Sequence, residues 1–182
     1  MKLGWISLAL LLALASLVHA GDLVPNGRGL RTKPLLGAMY DLELRVPDTL
    51  RGATAKTLIE SDGPMEFVLT LQSGLINRKR FVEATTEGFE KAARSGYASA
   101  QTRDFLDQFA STEFRKGDAV LMSYADGTLT TTYRRAAAKD SPAADATLGR
   151  IPGPDIKKAL FAIWLGEAPV QESLKNGLLG QP

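Results

Sequence analysis

The stretch that most constrains this chain runs from Ile151 to Gly180. Between Ile156 and Leu165 every residue is apolar except Lys157 and Lys158, and Pro154 suits a first helical turn, where a backbone N–H is unpaired in any case. A helix apolar on nearly every side has no face to give to water, so it must lie packed between layers. The two lysines are expected to form its one polar strip. Gly166 is expected as a left-handed cap, and Pro169 prevents continuation. A shorter helix, Glu172 to Leu179, turns Leu174 and Leu178 inward and stops at Gly180. The chain therefore closes by laying a greasy helix on something broad and apolar, which is either plain core or a lined pocket.

The first twenty residues stand apart from that fold. Lys2 is a short basic region, Trp5 to Val18 is almost continuously apolar, and Val18-His19-Ala20 ends in small-residue cleavage chemistry. This is the pattern of a secretory signal cut after Ala20, leaving one domain over 21–182 in an exported chain, periplasmic or secreted. A membrane anchor is the alternative, but the apolar run falls short of the roughly 20 residues that a bilayer needs.

Cleavage removes the chain's one histidine, His19, and the sequence has no cysteine. Histidine general bases, Ser-His-Asp and Cys-His nucleophiles and zinc sites of the usual kind are then excluded, and no metal or cofactor is expected. No disulfide is available, so a hydrophobic core must hold the domain together. The formal net charge of +2 carries no nucleic-acid footprint.

Along the mature chain, Asn26-Gly27 and Arg28-Gly29 read as turn chemistry. After Pro34, the residues Leu36, Ala38, Tyr40, Leu42, Leu44 and Val46 alternate with polar ones, as in a half-buried antiparallel strand. Tyr40 then points inward with a hydroxyl that wants a partner, and a bend at Pro34 brings Arg31 toward the same interior. On the residues alone, a solvent-facing Arg31 and a plain core Tyr40 are the simpler account. Thr57 to Glu60 is expected as a short strand, Ser61-Asp62-Gly63-Pro64 as a turn, and Met65, Phe67, Leu69 and Leu71 as a second alternating strand.

Asn77 is placed to cap a helix whose stripe is Phe81, Ala84, Gly88, Phe89 and Ala92. Arg78, Lys79 and Arg80 crowd the positive end of that helix, against its dipole. They are either a solvated face or a mouth for an anionic ligand or lipid head group, with peripheral membrane contact left open. A helix over Thr102 to Phe114 buries Phe105, Leu106 and Phe109. Asp118–Ala125 and Thr128–Arg135 flank Asp126-Gly127, the strongest short hairpin signal in the chain. A loop over Ala136–Asp145 and a last strand, Thr147–Ile151, lead to the C-terminal helix. The order is that of an α+β domain, an antiparallel sheet with helices stacked on one face.

These residues carry a resemblance. Gly29-Leu30-Arg31, Ser61-Asp62-Gly63-Pro64, Lys116-Gly117-Asp118 and above all Ile151-Pro152-Gly153 with IWLGEAPVQESLKNGLLG resemble the chalcone isomerase-like family, in its exported bacterial branch. The resemblance implies an open-faced β-sandwich, a long antiparallel sheet under helices, with a ligand cleft between them. Plant enzymes of this fold cyclise a chalcone to a flavanone, while related members bind fatty acids. The family arginine falls on Arg31, where it serves an oxyanion or a carboxylate. Tyr40 resembles the tyrosine of the fatty-acid binders and stands where the enzymes place a threonine. Near the start of the long helix this chain offers Asn77, Phe81 and Gly88, with no match to the catalytic tyrosine and asparagine pair. The arginine that exported relatives carry near Ser73 and Gly74 is also missing.

The resemblance thus implies an exported protein that binds a fatty acid or similar apolar carboxylate through Arg31 and Tyr40, with no catalytic residue assigned. An isomerase of the chalcone type and a structural envelope protein without a small ligand are the alternatives. Elementary energetics favour binding. A buried guanidinium requires an anionic partner, and a carboxylate accepts two parallel bonds from it. The head-group bond contributes roughly 1.5–3 kcal/mol net. About fourteen methylenes at about 0.8 kcal/mol each would contribute on the order of 11 kcal/mol before ordering costs.

Overall fold

A meander of six antiparallel strands, paired in chain order, forms the sheet in a computed structural model that describes residues 23–139 and 141–181. The strands are β1 (Leu23–Lys33), β2 (Gly37–Pro47), β3 (Met65–Leu71), β4 (Ala119–Ala125), β5 (Thr128–Arg135) and β6 (Ala144–Pro152). The helices are α1 (Ala55–Glu60), α2 (Arg78–Arg94), α3 (Thr102–Asp107), α4 (Pro154–Leu165) and α5 (Glu172–Leu178). The expected signal segment, with His19 and the cut after Ala20, lies outside the described residues.

Alternation decides which face of the sheet is covered. On β3, Met65, Phe67, Leu69 and Leu71 are buried while the residues between them are only half so. The opposite face carries a polar ladder: Arg28 to Asp41 at 2.6 Å, Arg45 to Glu43 at 2.6 Å, and Ser123 donating to Glu66 at 2.5 Å. Helices therefore belong on one face alone, as an open-faced α+β sandwich requires. Asp126 and Gly127 take φ of 50° and 70° and close the β4–β5 hairpin as the primed turn expected of that pair.

Helix α4 is the buried centre of the helical layer, with nine of its twelve residues inaccessible. Phe67 reaches up to it, 4.5 Å from Phe161 and 5.1 Å from Trp164 between ring centroids. The expected polar strip on α4 divides. Lys158 pairs with Glu60 at 2.8 Å, but Lys157 is wholly buried and donates to the carbonyls of Leu58, Ile59 and Ser61 at 2.7, 2.8 and 2.7 Å. Three N–H donors meet three acceptors at the C-terminal end of α1, where orphan carbonyls and the helix dipole both favour a cation.

Several expectations are corrected. Thr57–Glu60 belongs to α1 rather than a strand, because the Thr54 hydroxyl accepts from Thr57 N–H and starts a helix that buries Leu58 and Ile59 together. Asn26 to Gly29 is strand, not turn. A side chain at Gly27 would run into the carbonyls of Gly177 and Leu178, and one at Gly29 would come within 2.7 Å of Leu174, so these glycines let α5 lie on β1. Gly166 is extended (φ −67°, ψ −176°), not left-handed; it is glycine because a Cβ would sit 2.5 Å from the Ala162 carbonyl. Helix α3 stops at Asp107. Tight turns continue to Thr112 and carry Phe109 and Phe114 into a cluster with Phe81. Strand β6 is longer than expected, starting at Ala144, where Asp145 takes a two-pronged pair from Arg134 at 2.8 and 2.7 Å.

Candidate functional site

The β1–β2 hairpin brings Arg31 and Tyr40 together, directly opposite each other in the ladder. One step further, Thr32 pairs with Ala38, so Met39 is an extra, bulged residue on β2. A bulge re-aims side chains by one residue. Here it lets Met39 and Tyr40, neighbours in sequence, both face the helices, and it breaks the expected run of Leu36 and Ala38 with Tyr40. Leu36 falls in the turn and is exposed.

Between sheet and helices lies a cavity of about 520 Å³, within the roughly 300–1,000 Å³ of small-molecule pockets. Leu69, Leu71 and Met122 of the sheet form one wall; Phe81 and Gly88 of α2 and Ile163 and Trp164 of α4 form the other. A Cβ at Gly88 would stand 2.8 Å from Ile163, which sets how closely α2 and α4 can approach. The polar groups gather at the mouth, where Arg31, Lys33, Arg80 and Lys91 outnumber Glu83 and Glu87. Pairing with Lys91 at 2.7 Å holds the Glu87 carboxyl below its ordinary range, so that carboxylate is already neutralised.

The donors are specific. Trp164 Nε1 gives its hydrogen to the Tyr40 oxygen at 2.9 Å. Indole is a donor only, so the Tyr40 hydroxyl keeps its own proton to donate elsewhere. Burial pushes the Tyr40 phenol above its ordinary value, against weaker pulls from Trp164 and Arg31, and the group is neutral at physiological pH. Arg31 is half-buried. Its Nη1 donates to the Thr32 carbonyl at 3.0 Å and to Gln171 Oε1 at 2.9 Å, while among the described residues its Nε and Nη2 have no acceptor. Gln171 also accepts from Thr32 N–H at 3.1 Å and donates to Ser173 at 2.6 Å, fixing the start of α5 over the hairpin and the guanidinium beside it. A neutral phenol and a fixed guanidinium, each with hydrogens to spare beside an apolar chamber, suit an anionic head with a hydrocarbon tail.

Arg31 and Tyr40 both line the cavity. The basic triplet is divided: Arg80 lines the mouth, Lys79 is exposed beside Glu83 at 3.9 Å, and Arg78 is bonded to the carbonyl of Ala110. Asn77 serves as the cap of α2, accepting from Arg80 N–H at 3.0 Å. Tyr40 is the one tyrosine among the lining residues; Tyr133 is committed to Asp118 at 2.7 Å. Among the described residues no group of three His, Cys, Asp or Glu is placed to hold a metal ion. Trp164 and Gln171 were not singled out from sequence. The signal for Trp164 was an indole N–H in an otherwise apolar helix, which requires a buried acceptor. Gln171 carried no such signal.

Comparisons with known proteins agree with this architecture. The crystal structure of a fatty-acid binding protein from Arabidopsis thaliana superposes with a TM-score of 0.66, covering 87% of each chain at 16% sequence identity, a likeness of fold. No match was found among curated proteins. The sequence matches the chalcone isomerase-like family over residues 15–180. The chain belongs to the chalcone isomerase-like family.

Proposed function

We propose that this protein is an exported carrier that binds a fatty acid or similar apolar carboxylate, with the head group at Arg31 and Tyr40 and the tail along the chamber under α2 and α4. The observation that carries the reading is the Tyr40 hydroxyl, which accepts from Trp164 and so has its proton free for an acceptor beside Arg31. The structural likeness to a protein described as fatty-acid binding supports the same reading. Export rests on the first twenty residues, and N-terminal sequencing of the recovered chain should begin at Gly21.

Native mass spectrometry after gentle purification tests the cavity's content. The expected spectrum shows the chain with an added mass that extraction identifies as an aliphatic carboxylate. Protein that is ligand-free as isolated, and stays so after incubation with long-chain fatty acids, would contradict the proposal.

A further inference from the structure

Leu35 occupies a position that turn chemistry reserves for glycine. The Leu36 N–H bonds to the Lys33 carbonyl at 3.2 Å, closing a four-residue turn with Pro34 second and Leu35 third, at φ 64°. The third position of such a turn needs positive φ and is ordinarily Gly or Asn; a leucine is strained there. The Leu35 side chain is fully exposed, so packing among the described residues does not compensate the strain. Leu36 and Leu75 are exposed as well, at 51% and 43%, and both line the cavity mouth. The loops that bear them are tied together by the N–H groups of Gln72 and Ser73, which donate to the Met39 carbonyl at 2.9 and 3.1 Å.

Cations surround these apolar tips. Lys33 precedes the turn, the Arg80 guanidinium donates to the Leu75 carbonyl at 2.9 Å, and the Lys79 side chain is 83% exposed. Glu87 stands at the same mouth but is held by Lys91 at 2.7 Å. Glu83 is only loosely paired with Lys79, at 3.9 Å between two exposed side chains, which leaves the lysine available to a phosphate. Leucines inside a basic collar match the boundary of an anionic bilayer, apolar below and phosphate-rich above. A second copy of the chain would instead set like charges against each other. The geometry points to the cavity mouth as a docking surface for an anionic lipid bilayer. Leu35, Leu36 and Leu75 enter the acyl boundary, while Lys33, Lys79 and Arg80 meet the phosphates. This docking stands independently of what the cavity holds, although a mouth seated on lipid gives an acyl chain a dry path inward.

Leu35→Gly and Lys79→Gln test the surface, since neither residue lines the cavity. Each is compared with wild type in flotation with phosphatidylcholine vesicles and with phosphatidylcholine–phosphatidylglycerol vesicles, at low and high salt. Wild type is expected to float with the anionic vesicles only, and to be released by salt. Leu35→Gly should lose about tenfold in partitioning while its Tm holds or rises, because glycine relieves the turn. Lys79→Gln should lose about fivefold. Wild type indifferent to vesicle charge, or variants that float as it does, would overturn the inference. So would self-association through Leu35 without vesicle binding. Vesicle binding by a chain that takes up no fatty acid would sustain the docking surface and remove the carrier proposal alone.

Discussion

Tyr40 accepts from Trp164 and is left with one proton to give, so its loss should be felt twice. If Tyr40 donates to a carboxylate as proposed, Tyr40→Phe should weaken that binding by about 0.5–1.5 kcal/mol, and it strands the buried Trp164 N–H at a cost of about 1–3 kcal/mol in stability. Titration with a fatty acid and denaturant unfolding separate the two effects; a variant unchanged in both would show the bond to be idle. Lys157 answers to pH. Burial lowers its ammonium to about 7 from an ordinary value of about 10.4, with Asp62 and Glu60 resisting. Between those values the unfolded chain holds more protons than the folded one, so this group makes stability rise with pH across that window. Lys157→Met strands carbonyls that the amine had satisfied, lowering stability at pH 7 by at least about 1–3 kcal/mol. The gap between the two proteins should widen from pH 7 to pH 9.5 in denaturant melts. A constant gap would mean that the three carbonyls keep the ammonium protonated throughout. The inward face of Tyr40 was legible in the sequence, because alternation with period two fixes a face. The partner of Lys157 was not, because α1 lies almost a hundred residues away and periodicity carries no distance.

Helix α2 meets α4 through Gly88 and Ile163, a contact that also shapes the cavity wall. Gly88→Ala gains helix propensity, roughly 0.5–1 kcal/mol, but its methyl group would stand 2.8 Å from Ile163 Cγ2. A β-branched side chain in a helix has one strongly preferred rotamer and cannot swing aside, so overpacking should prevail with a net loss of about 1–2 kcal/mol. Ile163→Ala on the same chain should recover part of it, and additive losses in a double-mutant cycle would show that the two residues do not compete for the space. Long periodic elements such as α2, α4, β3 and the β4–β5 hairpin could be read directly, since each repeats its signal over several turns or pairs. Short ones could not. Helix α1 depends on a single cap at Thr54, and Leu58 and Ile59 fit a strand as well as a helix. The glycines of β1 look like turn residues until α5 is seen lying on them, a contact between opposite ends of the chain.

The whole molecule follows from one asymmetry, a sheet with a polar ladder on one face and large apolar side chains on the other. That asymmetry, the order of strands and helices, and the mostly apolar α4 together carried an antiparallel sheet with helices on one face from the sequence, and the family resemblance added the open-faced sandwich. The cavity could not be read the same way. Its shape depends on the bulge at Met39, which turns two adjacent side chains upward, and on Gly88, which sets how closely α2 and α4 approach, and neither arrangement has a local pattern. Arg31 was assigned by resemblance, and the hairpin register now sets it opposite Tyr40 at the chamber's mouth. The most direct measurement is a calorimetric comparison of a long-chain fatty acid with the alcohol of the same length, on wild type and Arg31→Ala. Wild type is expected to prefer the acid by about 1.5–3 kcal/mol, roughly ten- to 150-fold, and Arg31→Ala to lose that preference while still folding, its Tm lowered only by the lost bonds to Gln171 and Thr32. Equal affinity of wild type for acid and alcohol, or a preference that survives in Arg31→Ala, would contradict it.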